Sequence, residues 1–131
     1  MERLGGAAGR ALARWVFPVP FGFVVAASLV LLFSPAGTEP PPFPLFDKLV
    51  HATLFALLAL TGRVARLPVT PLAAGLLCYA VGSEALQGVL PIGRAASGWD
   101  ALADLTGAAA GLAVAGLAAY VSRRGRRPVT A

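Results

Sequence analysis

The chain has 131 residues, 57% of them hydrophobic and only 13% charged, with a formal net charge of +5. A soluble domain carries about a quarter charged residues, and this length allows one domain, 1–131, with a modest core. The basic excess invites a nucleic-acid reading, which is set aside because no basic groove interleaved with aromatics is present.

The apolar residues form four long runs, each near the roughly 20 residues a helix needs to cross a ~30 Å hydrocarbon layer. The pattern predicts an all-α polytopic membrane protein, four transmembrane helices in a bundle. Residues 1–10 read as a leader. The first helix covers about 15–33, with Trp15 at an interface and Pro18 and Pro20 tolerated near its start. A signal peptide is the competing reading of this segment, but the apolar stretch exceeds the roughly 7–15 residues of a signal core. Residues 34–44 are proline-rich and extended. The second helix covers about 45–61, with Gly62 and Arg63 at its end.

The third helix covers about 70–89, with Pro68 or Pro71 in its first turn. Cys78, the single cysteine, sits in this run as structural filler. A tight loop leads to the fourth helix, about 99–121, with Ser97 or Gly98 as N-cap and Asp100 in the first turn. Residues 122–131 form a basic tail. Ala103, Gly107, Gly111, Ala115 and Ala119 recur every fourth residue, a small-residue seam that admits another helix at close range. Packing inside the bundle is the favoured use of Gly107 and Gly111, with a homo-oligomer as the alternative.

The basic residues set the topology. Arg3, Arg10 and Arg14 precede the first run, Arg63 and Arg66 lie between the second and third, and Arg123, Arg124, Arg126 and Arg127 follow the fourth. These alternate segments share one side of a membrane, which the positive-inside rule makes cytoplasmic. The expectation is a multi-pass protein of the cytoplasmic membrane with both termini inside and membrane lipids as its surroundings.

The acidic residues gather on the other side. Asp47, Lys48 and His51 open the second helix, and Glu84 and Gln87 close the third. Arg94 and Ser97 lie in the loop, and Asp100 and Asp104 open the fourth helix; Glu39 lies in the proline-rich loop. Asp47 and His51 are four apart and share a helix face, as do Asp100 and Asp104. Singly, each has a plain explanation: Lys48 snorkels, Asp100 starts a helix, His51 packs. Together they predict a shared pocket, since ionisable residues inside a membrane are kept when paired or functional. Asp104, if ionised, is expected to pair with Arg94, Lys48 or His51.

Two segments at these positions carry a family resemblance. One is Phe46-Asp47-Lys48-Leu49-Val50-His51, with Phe55 following. The other is Ser83-Glu84-Ala85-Leu86-Gln87, then Pro91, Gly93-Arg94, Ser97, and Asp100 through Gly107. In order and spacing the chain resembles the VanZ-like membrane proteins over roughly residues 45–120. Phe55 and Asp104 depart from that family's usual tyrosine and asparagine. The resemblance implies membership of a membrane family linked to lipoglycopeptide (teicoplanin) resistance.

The leading expectation is a protein that binds or modifies a lipid-linked or cell-envelope group, such as a cell-wall precursor or an anionic headgroup. Arg94 and Lys48 hold phosphate or carboxylate; Gln87, Ser97, Asp100 and Asp104 complete the binding set. His51, poised by Asp47, is the acid/base candidate, with Glu84 as a second proton carrier. No nucleophile sits beside an obvious base, no zinc signature assigns metal ligands, and the cofactor and the enzyme question stay open. One alternative is a metal-dependent membrane enzyme drawing on Asp47, His51, Glu84, Asp100 and Asp104, with a hard cation favoured. The others are a transporter or proton relay and a structural assembly protein.

Overall fold

The computed structural model describes residues 17–125. Among them there are four helices and no strand: α1 (Pro18–Phe33), α2 (Phe46–Val64), α3 (Val69–Val89) and α4 (Gly98–Arg124). Each overlaps its expected run. Trp15 and the leader lie outside the described residues, as does the tail from residue 126 onward. Residues 122–124, expected in the tail, instead continue α4, because nothing in Val121-Ser122-Arg123-Arg124 breaks a helix before Gly125.

α3 and α4 are long and apolar enough to cross a membrane. α1 is apolar but only 16 residues long, and α2 carries Asp47, Lys48, His51 and Arg63. The outward faces of all four are apolar, with Phe23, Val30, Val81, Val89, Leu117 and Val121 among the exposed side chains. Exposed apolar side chains in this number are the kind of surface that a membrane or a protein partner covers. Cys78 faces outward on α3 rather than filling the core.

The helices run up and down. Lys48 meets Asp100, His51 meets Asp104, and Gly107 lies against Ala52 with Gly111 against Ala56, so α2 and α4 are parallel. α1 opposes α2, since Phe21 near its start lies against Gly62 near the end of α2. This topology puts residues 34–45 and 90–97 at one end of the bundle, tied by the Ala36 N–H donating to the Ile92 carbonyl at 2.8 Å. Arg63, Arg66, Arg123 and Arg124 lie at the opposite end.

α2 and α4 make the most extensive contact in the bundle. The reason is the seam: a Cβ on Gly107 would lie 2.8 Å from Ala52 Cα, and one on Gly111 would lie 2.8 Å from Ala59 Cβ. Small residues permit backbones to approach this closely. Gly107 and Gly111 are thereby buried against α2 within the chain, the favoured use of the seam. Elsewhere the core is aliphatic and aromatic, with Leu32, Leu54, Phe55, Leu58, Leu72 and Leu76 buried. Phe55 stacks on Tyr79 at 5.4 Å between centroids, and Ser28 hydrogen bonds the Tyr79 hydroxyl at 3.0 Å.

α4 starts on Ser97, whose hydroxyl accepts from the Asp100 N–H at 3.2 Å. Such caps contribute about 1 kcal/mol. Ser97→Ala is therefore expected to lower stability by about 1 kcal/mol, read as a lower thermal midpoint in detergent, with the Ser97 backbone contacts retained.

Candidate functional site

The polar residues are placed by three helix ends. On α2, Lys48 and His51 are three apart and face α4; on α4, Asp100 and Asp104 are four apart and face α2. Both spacings return a side chain to the same face after about one turn. Because α2 and α4 are parallel and in contact, the two pairs form a ladder. Lys48 Nζ donates to Asp100 Oδ1 at 2.8 Å. One turn deeper, His51 Nδ1 lies 3.0 Å from Asp104 Oδ1.

α3 supplies the third wall. Glu84 Oε1 lies 3.7 Å from His51 Nδ1, and its other oxygen accepts the Ser97 backbone N–H at 2.8 Å. Gln87, one turn above, donates from Nε2 to the Leu32 carbonyl at 2.7 Å, capping the end of α1. Ser83 is buried beside them and donates to the Ala80 carbonyl. Arg94 reaches back from the loop, donating from Nε to the Ser34 carbonyl at 3.1 Å and lying 3.5 Å from Asp47 Oδ1.

Depth separates these groups into two tiers. His51, Asp104 and Glu84 are 1%, 0% and 6% exposed, a buried trio where three helices meet. Asp47, Lys48 and Arg94 are partly exposed and form a rim with Asp100. Above the trio opens a cavity of about 460 Å³, lined by Asp47, Gln87, Arg94 and Asp100 on the helix side and by Glu39 and Pro40–Pro42 on the loop side. The stiff proline segment serves as its outer wall.

All the expected site residues therefore lie within one region; Asp104 meets His51, one of its expected partners, while Asp47 does not. Asp47 pairs with Arg94 rather than hydrogen bonding His51, and Asp104 takes the imidazole. Asp100 and Asp47 each still place a carboxylate oxygen within 4.8 Å of a His51 ring nitrogen. Ser97 contributes its backbone N–H and its cap rather than a side chain to the cavity. The chemistry open to the trio is proton exchange between imidazole and carboxylate or the joint coordination of a cation. The rim can donate N–H groups from Arg94, and Gln87 adds an amide to the cavity wall.

Some contributors escaped the sequence reading. The Leu32 and Ser34 carbonyls are site elements through their backbone alone, which no residue type announces. Comparison with known proteins finds no matching family model, no matching characterised protein and no matching solved structure.

Proposed function

We propose that this chain is a four-span protein of the cytoplasmic membrane that binds the phosphate-bearing headgroup of a lipid or lipid-linked cell-envelope precursor at the non-cytoplasmic face. The observation that carries the reading is the cavity, ringed by Arg94, Asp47, Gln87 and Asp100, at the end of a bundle whose outward faces are apolar. A headgroup could enter there while its chains stay against the helices.

Further observations support the placement. At ~1.5 Å per residue, α1 and α2 extend about 24 and 28 Å, near the ~30 Å of a hydrocarbon core. Arg63, Arg66, Arg123 and Arg124 lie at the end opposite the cavity, and the positive-inside rule favours that end as the cytoplasmic one. Arg94 has the planar fork suited to phosphate, and Asp47 and Ser34 hold it at the rim without enclosing it. The resemblance to VanZ-like proteins falls on these same residues and adds a role in teicoplanin resistance to the proposal.

Retention of added lipid by the purified protein in detergent tests this reading, with phosphatidic acid and phosphatidylcholine as probes quantified by mass spectrometry. Phosphatidic acid is expected to be retained preferentially. Arg94→Gln is expected to weaken that preference by about tenfold or more, since hydrogen bonds to charged groups contribute about 1.5–3 kcal/mol. Equal retention of both lipids by folded wild-type protein would sink the reading. A teicoplanin-selective change in susceptibility on expression, absent with Glu84→Ala, tests the resistance role.

A further inference from the structure

We propose that His51, Glu84 and Asp104 together bind one divalent first-row cation, Zn²⁺ or Mn²⁺, at the junction of α2, α3 and α4. The inference goes beyond the headgroup reading and does not depend on it.

Three observations converge. The first is geometric. One donor atom from each residue lies within 4.8 Å of the others, with Nδ1 to Asp104 Oδ1 at 3.0 Å and Nδ1 to Glu84 Oε1 at 3.7 Å. Donors bound at about 2.0–2.2 Å to one ion sit roughly 3.0–3.5 Å from each other. The trio is thus near coordination spacing already, and each ligand comes from a different helix.

The second is an unmet need. Glu84 Oε1 and Asp104 Oδ2 are buried carboxylate oxygens with no hydrogen-bond partner among the described residues, in side chains that are more than nine-tenths buried. Buried carboxylates seldom go unpaired, because the lost hydration has to be replaced. The nearby cations do not serve them. Lys48 is held by Asp100 at 2.8 Å, and Arg94 lies against Asp47 and Ser34. The overlapping set Asp47, His51 and Asp100 is the poorer candidate for the same reason, as both its carboxylates already have basic partners.

The third is charge and ligand type. Two carboxylates and a neutral imidazole carry −2, which a divalent ion cancels. One imidazole with two carboxylates suits Zn²⁺ or Mn²⁺ better than Mg²⁺ or Ca²⁺, which favour all-oxygen shells. The Ser97 N–H on Glu84 Oε2 fixes that carboxylate, the kind of outer contact that orients metal ligands. Three protein ligands leave a coordination position free, which water can fill.

The test uses the full chain in detergent, treated with a chelator, dialysed, and titrated with ZnCl₂ or MnCl₂. Calorimetry and elemental analysis are expected to give one ion per chain, and Mn²⁺ is expected to lose its free-ion electron paramagnetic resonance signal on binding. Asp104→Asn and Glu84→Gln keep size and hydrogen-bonding capacity and are each expected to weaken binding at least about tenfold. Circular dichroism and gel filtration confirm that the variants remain folded. Asp47→Asn is expected to retain the ion; loss of binding there, with Asp104→Asn still binding, would overturn the assignment. So would the absence of stoichiometric binding of either ion to folded wild-type protein, leaving a shared proton or an internal water between the carboxylates. Ion binding that survives in Arg94→Gln while lipid preference falls separates this inference from the headgroup reading.

Discussion

Replacing Gly107 by alanine is expected to destabilise the bundle by about 3 kcal/mol, at the upper end of overpacking costs. The added methyl would meet the Ala52 carbonyl and lie 2.8 Å from Ala52 Cα. That obstacle is backbone, so no side chain can turn aside, and α2 and α4 must separate. Gly116 on the same helix has nothing within 4 Å of its virtual Cβ. Gly116→Ala is therefore expected to be neutral or to stabilise by up to about 1 kcal/mol through helix propensity. Thermal midpoints of the two variants in the same detergent make the comparison. Equal midpoints would show that the close α2–α4 approach is not what holds the bundle. The ladder from Lys48–Asp100 to His51–Asp104 depends on that approach, so Gly107→Ala should also weaken any ligand binding at the site.

His51→Leu is expected to cost about 3–5 kcal/mol, the usual consequence of removing one member of a buried polar pair and stranding the other. Asp104 Oδ1 has the imidazole as its hydrogen-bond partner, and Glu84 lies 3.7 Å from the same nitrogen. The double variant His51→Leu/Asp104→Val removes both sides of the pair and is expected to recover most of that loss, since apolar replacement of a buried pair is often neutral or stabilising. Stability restored without function would identify the trio as kept for its chemistry. A double variant no more stable than the single one would identify it as a packing element. Thermal denaturation of the three proteins decides between these outcomes.

Much of the fold was legible because its cause is local. Four apolar runs, proline and glycine at their ends, and Ser97 before Asp100 each act within a few residues of themselves, so the helices fall close to where the pattern predicts them. Gly107 and Gly111 announced a close approach by size alone. The grouping of Asp47, Lys48, His51, Glu84, Arg94, Asp100 and Asp104 could also be read in advance, because alternation of helix direction puts every second helix end on one side. α1 and α2 show the limit of this reading: one is short and the other carries ionisable residues, so length and composition mark only α3 and α4 as spanning.

The chain alone thus set roughly which stretches are helical, which end of the bundle is acidic and which basic, and which charged side chains gather at the acidic end. It did so because helix periodicity and charge position are properties of neighbours in sequence. Who pairs with whom was decided only in three dimensions. Asp47 and His51 share a helix face and seemed natural partners, yet the register set by Ala52 against Gly107 brings Asp104 to the imidazole and leaves Asp47 to Arg94. A shift of one residue along the seam would rotate α4 by about 100° (at ~3.6 residues per turn) and redistribute every pair. Burial follows from the same contact: Asp104 is enclosed because α2 lies across its face, and that enclosure leaves Glu84 and Asp104 each with an oxygen still unpartnered.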